Sequence, residues 1–277
     1  MGRSRGVEAG LALSEAKTLV ITAGAGMGVD SGLPDFRGPH GFWQAYPMYQ
    51  QLGIDFVDAA NPKHFDDNPA FAWGFYGHRT ELYRQTVPHR GFNLLRDWIE
   101  RYSLESFVVT SNVDGQFQKA GFAEEQILEV HGSIHHLQCA VPCCSQIWTN
   151  FESIPVDHTT MKAQDIPRCP RCGAVCRPNI LMFGDATWLA ERSEVQHRRF
   201  ENFLGAARTP LVVVELGAGT TIPTIRNLSE RLASNYGGTL IRINPREGQV
   251  PAGQVSYAMR ALEGLQQIEM ALQEQAE

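Results

Sequence analysis

The stretch from Ala23 to Gly38, AGAGMGVDSGLPDFRG, constrains this chain more than any other. An apolar, β-branched run, Thr18-Leu19-Val20-Ile21-Thr22, precedes it and reads as a buried strand. Gly24, Gly26 and Gly28 then predict a tight turn whose backbone N–H groups approach a ligand. A phosphate suits such amides and the start of any helix that follows. Val29 stands where the third glycine of G-x-G-x-x-G belongs, so the loop predicts nucleotide binding without the fingerprint of a hydride-transferring dehydrogenase. Pro34-Asp35-Phe36-Arg37-Gly38 adds a carboxylate, a ring and a guanidinium within one short turn.

The same strand-then-polar-tip pattern recurs. Phe107 to Thr110 ends at Ser111-Asn112-Val113-Asp114-Gly115, and Ile127 to Val130 ends at His131-Gly132. Leu211 to Leu216 is followed by Gly217-Ala218-Gly219-Thr220-Thr221, and Thr239 to Ile243 by Asn244-Pro245. Val255 onward reads as one more strand and a helix. Between Phe42 and Pro88 the texture is helical and aromatic-rich, with Pro62 and Pro69 predicting several short helices. Gly91 to Tyr102 reads as an amphipathic helix presenting Phe92, Leu94, Leu95 and Trp98. Strands alternating with helices predict an α/β fold with a mostly parallel sheet covered on both faces, and ligands in such sheets sit at the carboxyl ends of strands. The polar tips at 24–37, 112–114, 131–132, 217–221 and 244 are thereby expected along one edge.

From Leu137 to Arg177 cysteines, prolines and polar residues replace the apolar runs, which predicts an inserted module. All six cysteines fall there, between Cys139 and Cys176. Disulfides stapling a whole fold would be spread more widely, so a local metal site is expected. Cys169-Pro170-Arg171-Cys172 is a compact C-x-x-C knuckle, and Cys139 with Cys143, or with Cys144, supplies the other pair. Four thiolates suit a structural zinc with no coordination position left open, and Cys176 is a bystander. The formal net charge of −6 argues against nonspecific nucleic-acid binding. No apolar run is long enough to cross a bilayer, and MGRSRGVEAG lacks the apolar core of a signal peptide, so a cytoplasmic location is the default expectation.

Three histidines crowd at 131, 135 and 136. His131 alone sits at a strand tip before a glycine, alongside the tip carrying Asn112 and Asp114, where an imidazole suits proton removal from a hydroxyl. His135 and His136 are expected to lead into the cysteine module.

Together these motifs resemble the sirtuins, NAD-dependent protein lysine deacylases. The matching residues are Gly24-Ala25-Gly26, Ser31 to Gly38, Gly41-Phe42-Trp43, Thr110 with Asn112-Val113-Asp114, His131-Gly132, the cysteine pairs, Arg177-Pro178 and Phe183-Gly184-Asp185, in the family's order across most of the chain. The resemblance implies a Rossmann-like large part (10–42, 88–136 and 178–277) and a small part made of a helical insertion (43–87) and a zinc ribbon (137–177). NAD and an acylated protein or peptide would enter the cleft between them, with neither nucleic acid nor membrane as partner.

The resemblance also implies residue roles. Gly24, Ala25 and Gly26 would hold the NAD phosphates, and Asp35, Phe36 and Arg37 would lie on the nicotinamide ribose side. Asn112 and Asp114 would position that ribose and the nicotinamide amide, while Gly217, Gly219 and Asn244 would contact the adenosine half. Backbone at Phe183, Gly184 and Asp185 would pair with an extended substrate. The acyl oxygen would attack the ribose as nicotinamide leaves, with His131 as general base and Asn112 assisting, to give O-acyl-ADP-ribose and free lysine. Tyr76 and Arg79 form the Tyr-x-x-Arg pair that binds the distal carboxylate in sirtuins removing succinyl, malonyl or glutaryl groups; the alternative is a core tyrosine and a solvated arginine. Ser111 replaces a usual glutamine, Gly28 a usual serine and Asp185 a usual glutamate, marking a divergent, bacterial-type branch. Protein mono-ADP-ribosyl transfer and non-catalytic NAD sensing are the rival functions.

Overall fold

The computed structural model describes residues 5–35 and 38–275, so Phe36 and Arg37 lie outside the described residues. In chain order, α1 (Arg5–Glu15) leads into β1 (Thr18–Ala23). A helical stretch follows: α2 (Gly38–Ala45), α3 (Pro47–Gln51), α4 (Phe56–Ala59), α5 (His64–Asp67), α6 (Pro69–Gln85) and α7 (Arg90–Arg101). Then come β2 (Glu105–Thr110), α8 (Gln116–Lys119), β3 (Ile127–Glu129), β4 (Gly132–Cys139), β5 (Trp148–Thr149), β6 (Val156–Asp157), β7 (Lys162–Ala163) and β8 (Cys176–Ile180). The chain continues through α9 (Glu191–Gly205), β9 (Leu211–Leu216), α10 (Thr224–Asn235), β10 (Thr239–Ile243), β11 (Val255–Tyr257) and α11 (Ala261–Glu274).

Six parallel strands form the main sheet in the order β11-β10-β9-β1-β2-β3. The chain builds outward from β1 in one direction, then returns to its other side at β9 and builds the opposite way. This reversal is the switch point at which open α/β sheets bind ligands. Register makes the tips level: Ala23 at the end of β1 stands beside Thr110 of β2 and Leu216 of β9. β1 and β9 are buried along their whole length, as expected of strands covered on both faces. One face carries the core built with α1, α7 and α11, including Leu13, Trp98 and Leu265; the other is covered by α9 and α10 through Phe200, Ile225 and Leu232.

A second core holds the helical stretch and the cysteine module together, uniting Phe42, Trp73, Phe75 and Tyr76 with Leu137, Cys139 and Cys176. Here β5-β4-β8 form a small sheet of their own, with both pairings antiparallel. It begins at Gly132 and runs to Ile180, so residues at the edges of the 88–136 and 178–277 segments pair within it. Pro69 does not interrupt a helix. It opens α6, where the ring costs no intrahelical bond, and the Asn68 side chain caps the Phe71 amide. Among the described residues no helix is long and apolar enough to cross a membrane.

Candidate functional site

A cleft of about 820 Å³ opens over the level strand tips. Gly24, Ala25, Leu33, Pro34 and Asp35 line it after β1; Ser111, Asn112, Val113 and Asp114 after β2; His131 after β3; Ala218, Gly219 and Thr221 after β9. The expected convergence therefore holds for four of the five tips. The exception is Asn244, which is fully buried beneath the floor. Its Nδ2 donates to the Ala218 carbonyl at 2.8 Å, and its Oδ1 accepts the Arg246 and Glu247 amides at 3.0 and 2.9 Å. Asn244 thus braces two loops, and from that segment Arg246 and Glu247 line the cleft.

The glycine loop works differently from the expectation. The Gly24 and Gly26 amides donate to the carbonyls of Leu216 and Gly217, at 2.9 and 3.1 Å, so they are occupied by the neighbouring loop. A Cβ on Gly26 would stand 2.7 Å from the Gly217 Cα, and Gly217 itself has φ +61°. These glycines let the β1 and β9 loops pack backbone to backbone at the switch point. Gly24 and Ala25 line the cleft, while Gly26 and Gly217 do not. Short 3₁₀ turns at Ala25–Met27 and Val29–Ser31 stand where a helix start was expected.

The Asn112 side chain is oriented by its Nδ2, which donates to the Gly24 carbonyl at 3.0 Å and ties the β2 tip to the glycine loop. Asp114 is buried, with its Oδ1 accepting the Gln116 amide at 2.9 Å. Burial first, and the Glu129 charge after the opposing Gln116 hydrogen bond, push its carboxyl up to about 6. His131 lines the same cleft. Burial lowers its pKa below the ordinary imidazole value, partly opposed by a hydrogen bond to the Ser111 backbone. A neutral imidazole fixed by one carbonyl and facing a cleft is a proton acceptor in waiting.

On the small-domain side, Asp55, Phe56, Val57, Ala60, Tyr76, Arg79, Tyr83 and the run Ile180 to Phe183 complete the walls. Arg79 is not the solvated residue of the alternative reading. It is 5% exposed, its Nε and Nη2 meet the Tyr83 hydroxyl at 3.1 and 2.7 Å, and its guanidinium lies over the Phe56, Phe75, Tyr76 and Tyr83 rings. The Tyr76 hydroxyl is buried with no hydrogen-bond partner among the described residues. Tyr83 was not foreseen, although it lies four residues after Arg79 on the same helix face.

Phe183 lines the cleft, but Gly184 and Asp185 do not. The Asp185 carboxylate turns inward to the buried Arg177 guanidinium and also accepts the Met182 and Thr187 amides at 3.2 and 3.1 Å. The Met182 amide bond fixes the loop whose outer side forms the wall.

The Sγ atoms of Cys139, Cys143, Cys169 and Cys172 all lie within 4.8 Å of one another. Cys139 and Cys172 are 3.6 Å apart, Cys143 and Cys169 3.7 Å. Tetrahedral Zn–S bonds of about 2.3 Å require S···S edges near about 3.8 Å, so the donor set fits zinc. Cys144 and Cys176 fall outside the group, which favours Cys143 over Cys144. His135 and His136 do not join it either.

The Sir2 family model matches residues 24–204, and the chain belongs to that family. An NAD-dependent protein deacylase of Aeropyrum pernix is 28% identical over 263 residues, covering 94% of each chain. An NAD-dependent protein deacetylase of Saccharolobus solfataricus is 28% identical over 235 residues, covering 85% of this chain and 83% of that one. A solved Sir2 homologue in complex with NAD superposes with a TM-score of 0.74 at 24% identity, over 96% of this chain and 94% of the other.

Proposed function

We propose that this cleft takes NAD along the β1 and β9 loops, with its nicotinamide end at Asn112, Asp114 and His131, and an acylated lysine from the side walled by Ile180 to Phe183. The activity is NAD-dependent removal of acyl groups from protein lysine side chains. The observation that supports the residue assignment is the level register of β1, β2 and β3, whose following residues His131, Asn112 and Asp114 line one cleft.

Bound NAD supplies a ribose whose nicotinamide can leave as the acyl oxygen attacks. Asn112, held by the Gly24 carbonyl, orients the sugar, and the buried Asp114 faces the leaving base. His131 takes the proton of a ribose hydroxyl, and its Ser111 contact aims the ring for that transfer. Backbone around Phe183 and Gly184 borders the edge strand β8, the kind of edge that accepts an added strand. Zinc in the four-thiolate cluster supplies rigidity to the module, with no position open for chemistry. Reduced thiolates of this kind suit a reducing compartment such as the cytoplasm.

The finer reading concerns the acyl group. A desolvated guanidinium beside an unpartnered phenol, both on the cleft wall, supports an acyl chain ending in a carboxylate. Mass analysis of NAD products with acetyl-, succinyl- and long-acyl-lysine peptides tests the whole reading. O-succinyl-ADP-ribose formed faster than the acetyl product is expected. Nicotinamide release without acyl loss, with label from NAD appearing on protein, would instead establish ADP-ribosyl transfer.

A further inference from the structure

His135 belongs neither to the cysteine cluster nor to the cleft wall. Its placement comes from an irregularity in the small sheet. β4 pairs regularly with β8 at Gly132 and Ser133, then resumes at Leu137, leaving Ile134, His135 and His136 outside the β8 ladder, although His136 pairs with Thr149 of β5 on the other side. Such a bulge re-aims side chains. Freed from β8, this segment reaches the loop after β2: the Ile134 amide donates to the Val113 carbonyl at 3.0 Å, and His135 Nε2 stands 2.9 Å from the Asp114 carbonyl. The His135 ring also fills the space over Gly115, where a Cβ would come within 2.6 Å of its Cδ2. Gly115 has φ +68°, so the turn after Asp114 is one that only a residue without a side chain can make there.

The Asp114–Gly115 turn is therefore held from two sides. The Gln116 amide fixes the carboxylate from within α8, and His135 fixes the carbonyl from the other sheet. We propose that His135 is a positioning residue: it clamps the Asp114–Gly115 turn so that the Asp114 carboxyl stays aimed at the nicotinamide end of NAD, coupling the small sheet to cofactor affinity. The inference rests on the reading of Asp114 as an NAD-binding residue. Two properties of imidazole are used at once, a flat ring that packs on glycine and an N–H that reaches a carbonyl. Phenylalanine keeps the first and glutamine the second.

Titration calorimetry on the intact protein, with NAD and separately with ADP-ribose, tests this. His135→Phe weakens NAD binding by about 3- to 10-fold, the loss expected of one removed hydrogen bond. ADP-ribose binding and Tm stay close to the parent values, because ADP-ribose lacks the nicotinamide. His135→Gln recovers most of the NAD affinity. In an Asp114→Ala background, His135→Phe adds nothing. Equal weakening of NAD and ADP-ribose would reduce His135 to a structural filler and overturn the proposal. So would unchanged NAD affinity in His135→Phe when Asp114→Ala does weaken it. If Asp114→Ala itself leaves NAD affinity intact, the Asp114 reading has failed and the clamp falls with it. Should His135→Phe not fold, His135→Leu carries the same comparison.

Discussion

Arg177 and Asp185 form an ion pair sealed from solvent, with side-chain exposures of 1% and 0%. Arg177 lies on β8 and Asp185 follows the loop that walls the cleft, so the pair closes that loop onto its strand. Removing one partner leaves an uncompensated buried charge, so Asp185→Ala should cost about 3–5 kcal/mol. Burial pushes the Asp185 carboxyl up, but the Arg177 hydrogen bond and charge, with the Met182 and Thr187 amides, together hold it below its ordinary range. A depressed folded-state pKa contributes stability that is present above the unfolded value, about 3.9, and is lost as pH falls through the folded one. Denaturant melts from pH 7 down to 3 should show the wild type losing this increment below about pH 4 and Asp185→Ala lacking it throughout. A melt unaffected by the substitution, with a raised KM for peptide instead, would return Asp185 to the substrate site.

His131→Ala should lower acyl removal by about 10²- to 10⁴-fold, the range for a general base, while NAD still binds. The pH profile carries a sharper expectation. Burial lowers the His131 pKa, so the base remains neutral further into acid than a free imidazole, and the acid limb of kcat/KM should fall below pH 6.5. Asp114 titrates nearby, at about 6, and confuses the assignment in the wild type. Measured in Asp114→Asn, the limb that persists belongs to His131. A limb that disappears in that variant assigns the ionisation to Asp114.

The cysteine geometry makes a simple prediction about stoichiometry. Elemental analysis should find one zinc per chain in the wild type and in Cys144→Ser, and none in Cys143→Ser. Because binding energy at such sites is folding energy, strong chelators should lower the Tm of the wild type and leave Cys143→Ser unmoved. Zinc retained by Cys143→Ser and lost from Cys144→Ser would exchange their roles.

The strand tips were readable because a buried parallel strand announces itself as an unbroken apolar run, and the residues after it need no further evidence to be placed at one edge. That logic located Asn112, Asp114 and His131. It did not show that the Asn244 side chain turns away from the cleft, because sequence position says where a residue starts but not which way its side chain turns. It went inward to accept the Arg246 and Glu247 amides, a demand visible only once the loops are packed. The close packing of Gly26 on Gly217 was hidden for a related reason. Close approach of backbone to ligand and of backbone to backbone leave the same signature in one strand, and the partner Gly217 lies nearly two hundred residues away. His135 was unreadable because its direction depends on a bulge, which alternation along a strand cannot express.

Tyr76 separates stability from specificity in one substitution. Its hydroxyl is buried without a partner among the described residues, and burial pushes its pKa up to about 12, so it remains a neutral donor. Leaving a buried polar group unsatisfied costs folding free energy, and replacing it by an apolar group of the same shape is neutral or stabilising. Tyr76→Phe should therefore keep or raise Tm. If the hydroxyl and Arg79 together receive a carboxylate, the same change should lower kcat/KM for succinyl-lysine peptide about tenfold, the worth of a hydrogen bond to a charged group, with acetyl-lysine turnover unaltered. Equal loss on both peptides would mean that the phenol shapes the cleft without reading the acyl terminus. No loss on either would place the carboxylate, and the preference for it, elsewhere on the wall.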